Sequence, residues 1–404
     1  MRILNFVPEP LPTHRADVTA LFGRYLPALG IQSHLIGMPG KGKLSTERFT
    51  SLETSSAAGG RLRREWAYLS LCLRTMVFKE KTDFDVIQVR DMVAIGLLGL
   101  CIARLRGKPF VYWMSYLMSE ERIQRAMVKI ESGLPFKGRV REHLVLLKGR
   151  VESWLLYRVV LPQASHVFVQ SDAMLAHVVQ RGIQAAHLSP VPMGVDMEQL
   201  QAMDLSPAHY PACGSNPVVG YLGTLARARN IEHLIEVLAR VRAVVPGTQL
   251  LLIGDSTDSG DIASIRSRAE ARGVYHAVHI TGWLPTSAAL PLLAGVSVAI
   301  SFIPRNTILD TGSPTKIVEY LAMGLPCVGN DNPDQSRVLQ DSDAGTLTDS
   351  SEIGLAKAIS DLLQDLPSAK VRALAGPAYV RATRSYQRIA MMVAAKYSEL
   401  LCGK

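Results

Sequence analysis

Lys316 and Glu319 stand three residues apart in the stretch Ser313 to Asn330, SPTKIVEYLAMGLPCVGN, directly after Asp310, Thr311 and Gly312. Pro314 suits a first helical turn, where its missing N–H is no loss, and Thr311, Gly312 and Ser313 supply loop and cap. Ile317, Val318, Leu321 and Ala322 recur at helical spacing, Gly324 ends the helix, and Pro326 leads into the apolar run Cys327 to Gly329. The spacing predicts a helix whose free amides point outward, with a cation and a carboxylate near its positive end. That combination suits a nucleotide diphosphate at the helix terminus and ribose hydroxyls a turn further in.

A second cationic turn lies earlier in the chain. Val218 to Asn230, VVGYLGTLARARN, reads as a strand, a turn at Gly223 and Thr224, and then Arg227 and Arg229 before a helix from Ile231 to Val244. A strand-to-helix turn of this kind cradles phosphate, and a cation beyond it offsets charge on a departing diphosphate. Leu250 to Asp255, LLLIGD, brings another strand to a glycine, Gly254, where backbone can lie close to a ligand. His279 to Pro285, HITGWLP, sets Gly282 and Trp283 in a loop after a third.

Strands alternating with helices must position these turns, and the alternation occurs twice. The first half offers Ile3 to Val7, Ser33 to Ile36, Val86 to Val89, Phe110 to Trp113 and His166 to Gln170, with helical stretches such as Met92 to Arg106 between them. The second offers Val218 to Leu222, Gln249 to Ile253, Val278 to Thr281, Val296 to Ser301 and Cys327 to Gly329. Short apolar runs with intervening helices predict an α/β chain of two doubly wound parallel sheets, with sites at the carboxyl ends of the strands. Ser189 to Met197, SPVPMGVDM, reads as the hinge, which divides the chain into 1–190 and 191–383. Arg384 to Leu401 places Ile389, Met392, Val393, Lys396, Tyr397 and Leu400 in helical register.

On these residues the chain resembles the family-4 (group 1) retaining glycosyltransferases of the polysaccharide-assembly type. Their fold, GT-B, has two Rossmann-like domains facing across a cleft. The resemblance implies a nucleotide diphosphate sugar as donor, transfer to a glycan or polyprenyl-linked acceptor in cell-surface polysaccharide biosynthesis, no cofactor and no essential metal. In that family two Glu separated by seven residues run into the donor helix. Glu319 matches the second, which is implied to hold the ribose hydroxyls, whereas the first falls on Thr311, with Asp310 one residue away as a possible substitute. Arg229 takes the place of the family's Lys and Thr224 that of its Arg. Arg229, Lys316 and the amides near Ser313 are thereby implied to stabilise the leaving diphosphate, with Thr311 and Gly312 facing the sugar. Gly194, Val195 and Asp196 match the family's Gly-Val-Asp crossover, and the last helix, 384–404, is expected to return to the first domain.

The first domain departs further from that pattern. Where the family carries a glycine-rich loop, Pro8 to Val18 reads PEPLPTHRADV, without glycine. His14 and Arg15 in this loop are candidates for phosphate or acceptor, with a solvated loop as the alternative, and Arg90 and Asp91, after the third strand, are candidates for acceptor, with an ion pair or helix cap equally open. Where many members show a His, this chain has Trp113, Met114 and Ser115.

Composition bounds these readings. The chain of 404 residues, 48% hydrophobic and 20% charged, is long enough for two or three globular domains. No signal-peptide core and no long apolar run predict a cytosolic protein, and five scattered cysteines predict reduced packing residues. The net charge of +9 lies wholly in residues 1–200, with 26 Lys+Arg against 17 Asp+Glu, leaving 18 against 18 in the rest. Val140, Leu144, Leu147, Val151 and Trp154 keep helical spacing among Lys137, Arg139, Arg141, Lys148 and Arg150. That pattern fits either a solvated basic face or a surface for anionic lipid at the inner membrane leaflet. Nucleic acid is not expected, because the patches lack interleaved aromatics.

Other motifs fail on detail. Gly37 to Leu44, GMPGKGKL, lacks the hydroxyl that a phosphate-binding P-loop places on magnesium, and Asp83-Phe84-Asp85 and Asp341-Ser342-Asp343 read as turns. Two alternatives stay open: a sugar-nucleotide 2-epimerase on the same architecture, and a non-catalytic nucleotide-sugar-binding protein.

Overall fold

The computed structural model describes residues 1–13, 15–40, 49–55, 60–80, 83–133 and 135–402. His14 and most of the P-loop-like stretch lie outside them. Two compact units emerge, Met1–Met193 with Tyr386–Lys404, and Gly194–Ser385.

In the first unit the described residues form a seven-stranded sheet. Its strands are β1 (Arg2–Leu11), β2 (Gln32–Pro39), β3 (Ser51–Thr54), β4 (Val86–Arg90), β5 (Phe110–Met114), β6 (His166–Val169) and β7 (Leu188–Pro190). The order is β3-β2-β1-β4-β5-β6-β7, and every pairing is parallel. Strands buried on both faces favour continuous apolar runs, which β5 supplies with FVYWM, while β4 and β6 bury Gln88, Arg90 and His166 beside their apolar residues. Helix α1 (Val93–Arg106) approaches closely through Gly96 and Gly99, where an added Cβ would come within 3.0 Å of Tyr112 and 2.9 Å of Phe110. Helices α2 (Met118–Glu131) and α3 (Phe136–Leu155) form an antiparallel pair outside the sheet. The final helix, Tyr386–Cys402, buries Tyr386, Ile389, Val393 and Tyr397 among Ile3, Val86, Trp113 and Phe168. Met392 is 43% exposed and Lys396 pairs with Glu399, so these two leave the core register that the sequence suggests.

In the second unit the strands are β8 (Val218–Leu222), β9 (Gln249–Ile253), β10 (Val278–Ile280), β11 (Val298–Ser301), β12 (Cys327–Asn330) and β13 (Thr346–Thr348). They run parallel in the order β10-β9-β8-β11-β12-β13. Chain direction reverses its progress across the sheet beside β8, and in such sheets ligands sit at the carboxyl edge of that switch point. Helices α4 (Glu232–Val244) and α5 (Ser259–Ala271) cover one face together with Glu352–Gln364. Ile317, Val318 and Leu321 cover the other, against Leu251, Ile253 and Ala299.

Three strands, β3, β7 and β13, were not expected. All are short sheet edges, SLET, LSP and TLT, without an apolar run. Ser189 and Pro190 accordingly belong to a strand rather than to the hinge. Beyond them Val195 N–H donates to Arg384 O at 2.9 Å and forms a parallel bridge with Ser385, so the two segments that enter and leave the second unit are stitched together.

Candidate active site

At the carboxyl end of β8 the chain turns at Gly223, φ +144°, and at the end of β9 it turns at Gly254, φ +154°. Gly223 N–H donates to Ile253 O at 3.0 Å, and Leu225 N–H donates to Asp255 O at 2.9 Å. The two turns touch so closely that a Cβ on Gly254 would stand 1.9 Å from the carbonyl oxygen of Gly223. Only glycine fits, and the result is a shelf of bare backbone. Gly254→Ala is expected to lower stability by roughly 2–4 kcal/mol through combined clash and dihedral strain, which a denaturant melt reads directly.

Over this shelf lies helix α7 (Thr315–Ala322), preceded by the short helix α6 (Thr307–Asp310). The Tyr320 hydroxyl fixes it by accepting from Leu222 N–H at 3.1 Å and donating to Ile300 O. Lys316 crosses the first glycine turn: a Cβ on Gly223 would meet its Cε at 2.6 Å. Its Nζ stands 5.0 Å from the centroid of the Tyr221 ring, a cation–π contact that holds the ammonium over the shelf. One turn on, Glu319 accepts no hydrogen bond among the described residues. Burial pushes its carboxyl above the usual glutamate range, opposed by the charge of Lys316. A carboxylate short of donors beside a cation is suited to receive hydroxyl groups.

Pro314, rather than Ser313, occupies the N-cap of α7, and no side chain caps the helix. The Ser313 hydroxyl instead donates to Asp334 Oδ2 at 2.6 Å, and Asp334 is held by Arg384 at 2.7 and 3.2 Å. Asp334 and Arg384 are both 5% exposed. Asp334 opens helix α8 (Pro333–Ser342). Neither was expected as part of the site. The pair lies 50 residues apart in sequence, and no local pattern joins them. Asn330 and Gln335 brace the end of β11 and the residues after it: Asn330 bonds both N–H and C=O of Ile303, and Gln335 donates to Ser301 O.

Several expected donor residues sit differently. Thr311, expected to face the sugar, is buried at 4%, and its hydroxyl donates to Ile308 O at 2.8 Å. The Asp310 carboxylate is bonded by Arg305 at 2.7 and 3.2 Å, and Arg305 also reaches Asp331. Gly312 N–H is committed to Leu309 O at 3.2 Å. Arg227 and Arg229 form a single 3₁₀ turn closed by Asn230 at φ +49°, with Arg227 and Thr224 exposed and Arg229 half-buried. Neither arginine is ion-paired among the described residues. Gly282 turns at φ +73° and Trp283 is 77% exposed.

In the first unit Arg90 is 2% exposed at the end of β4. It pairs with Asp17, with Glu9 at 3.4 Å and with Asp91 at 3.6 Å, and Arg15 adds contacts to Asp17 and Glu9 at 3.0 and 3.3 Å. Burial opposes the charge of Asp17, yet Arg90 and Arg15 hold its carboxyl at about 2. Asp91, at φ +54°, accepts from Ser115 N–H at 2.7 Å and Tyr116 N–H at 3.2 Å. Arg90 and Asp91 are thus engaged in ion pairs and hydrogen bonds within the unit, and both side chains turn inward at the strand ends. The Arg15 side chain as a whole is 40% exposed.

Two families match the sequence, Glycosyl transferases group 1 over residues 216–365 and Glycosyltransferase Family 4 over residues 17–199. HepE from Anabaena, in complex with UDP and glucose, superposes with a TM-score of 0.70 at 17% identity, covering 99% of this chain and 100% of that one. Sucrose-phosphate synthase from Thermosynechococcus elongatus gives 0.73 at 16% identity over 100% of both chains. A putative UDP-N-acetylglucosamine 2-epimerase from Listeria monocytogenes gives 0.57 at 13% identity over 100% and 97%. No curated protein matches the sequence.

Proposed function

The chain belongs to the group 1, family 4 glycosyltransferases with the GT-B fold, and from that premise we propose that it transfers a sugar from a nucleotide diphosphate donor, with retention, to a hydroxyl of a lipid-linked glycan in cell-surface polysaccharide assembly. One observation carries the donor half of this reading: Lys316 lies across the glycine shelf while Glu319, one turn on, stands without a hydrogen-bond donor. The shelf and the uncapped start of α7 receive the diphosphate, and Glu319 receives the ribose hydroxyls. Lys316 and Arg229 offset the charge that grows on the leaving diphosphate as its bond to the anomeric carbon breaks. The acceptor oxygen forms the new bond, and its proton leaves with the phosphate. Ser313, Asp334 and Arg384 act at a distance by fixing the loop before α7. No metal is required in this scheme, because two cations already face the phosphates.

A thermal-shift series tests it, using UDP, GDP, ADP, CMP and dTDP with and without magnesium. UDP comes first, since HepE is crystallised with it. One diphosphate at saturation is expected to raise the melting temperature by about 5 °C, with or without magnesium. Magnesium dependence would remove the metal-free scheme, and no shift with any nucleotide would sink the donor site.

A further inference from the structure

Helix α3 carries its apolar stripe on the wrong side for a globular protein. Phe136, Val140, Leu144, Leu147, Val151 and Trp154 are 77%, 46%, 63%, 58%, 47% and 60% exposed. Steps of four, four, three, four and three residues place them in one line along the 20-residue helix. The opposite face attaches the helix to α2. There Gly149 lies so close that a Cβ would stand 2.9 Å from Ile123, Glu142 is buried and reaches Lys129 at 3.5 Å, and Glu152 pairs with Arg122. A surface helix ordinarily buries its apolar stripe and shows its polar face. Here the small and acidic side is inside, and the stripe points away from the body of the unit.

Cations flank the stripe on both sides. At helical spacing Lys137, Arg141 and Lys148 fall along one border and Arg139 and Arg150 along the other, and all five are exposed. An apolar line between two basic borders is the form of a helix that lies in a membrane interface, its side chains among acyl chains and its cations among phosphates. A second copy laid on the same stripe would bring basic borders against basic borders, which favours lipid over self-association.

We propose that α3 is a monotopic membrane-docking helix that seats the first unit on a bilayer rich in anionic headgroups. The inference deepens the lipid-linked acceptor reading, on which it rests for what the membrane supplies, while docking is measured without sugar transfer. No helix among the described residues is long and apolar enough to cross a membrane.

Vesicle co-sedimentation of the whole chain tests it, with phosphatidylcholine alone and with about a third phosphatidylglycerol. Wild type is expected to bind the anionic vesicles and to be released by high salt. Leu144→Ser with Leu147→Ser should lower the partition at least ten-fold. Removing cations through Lys137→Gln and Arg141→Gln should lower it about five-fold per charge on anionic vesicles only. On binding, Trp154 should become accessible to quenching by brominated lipid, a signal lost in Trp154→Phe. Unchanged melting temperature and nucleotide shift in the variants separate loss of docking from loss of fold or donor site. Wild type that ignores both vesicles, or variants that bind as it does, overturns the proposal. So does a dimer in sedimentation that Leu144→Ser with Leu147→Ser dissolves while neither form binds lipid.

Discussion

Lys316→Ala is expected to lower kcat by about 10²- to 10³-fold while leaving the donor KM within a few-fold of wild type, the scale seen when one preorganised group that meets developing charge is removed. The ammonium is held over Gly223 by the face of Tyr221, so it needs no rearrangement when the diphosphate departs. A cation that merely attracted the donor would act on KM. Lys316→Arg tests the geometry further: the glycine turn is crossed by a slim methylene chain, and the larger guanidinium should restore only part of the rate. Steady-state transfer with the donor varied decides the matter. A kcat within three-fold of wild type would remove Lys316 from the departing charge.

Glu319→Ala is expected to act chiefly on donor affinity, lowering kcat/KM by about 100-fold. Two hydroxyl groups donating to a carboxylate contribute roughly 3 kcal/mol together after desolvation. Glu319→Gln keeps the shape and loses the charge, so it should fall between alanine and wild type. Stability should move the other way. Because burial raises this carboxyl in the folded chain, the fold binds its proton more tightly than the unfolded chain does. The ionised group therefore costs stability above its folded pKa, and the cost disappears below the unfolded value. Glu319→Gln should melt above wild type at neutral pH, with the gap closing as the pH drops from the raised folded value to the ordinary glutamate value. Melts across pH, paired with donor titrations, measure both halves. A variant that binds donor normally would contradict the ribose assignment whatever its stability.

What could be read from the residues was local. Val218–Leu222 and Gln249–Ile253 are apolar runs stopped by glycine, and their bounds are those of β8 and β9. The spacing of Lys316 and Glu319 suffices to put them one turn apart on a helix. Edge strands such as Thr346–Thr348 carry no run of their own and exist because a neighbour pairs with them. Arg90 shows the same limit in charge. Its dipeptide with Asp91 looks like an exposed polar end, but Glu9 on β1 and Asp17 at the start of the helical segment after it draw it inside. Arg384 and Asp334 meet only after the whole unit has closed. For α3, periodicity reports that a stripe exists and not which side of it faces water.

The final helix carries a consequence for how the protein is made. Ribosomes release Ile389, Val393 and Tyr397 only after the entire second unit, although these side chains complete the core around Val86, Trp113 and Phe168. At cellular synthesis speeds the delay is roughly ten to forty seconds. During it the contiguous second unit can close alone, whereas the earlier sheet waits with one apolar face covered only in part, by Leu21, Phe22 and Leu26. The half that is translated first is finished last.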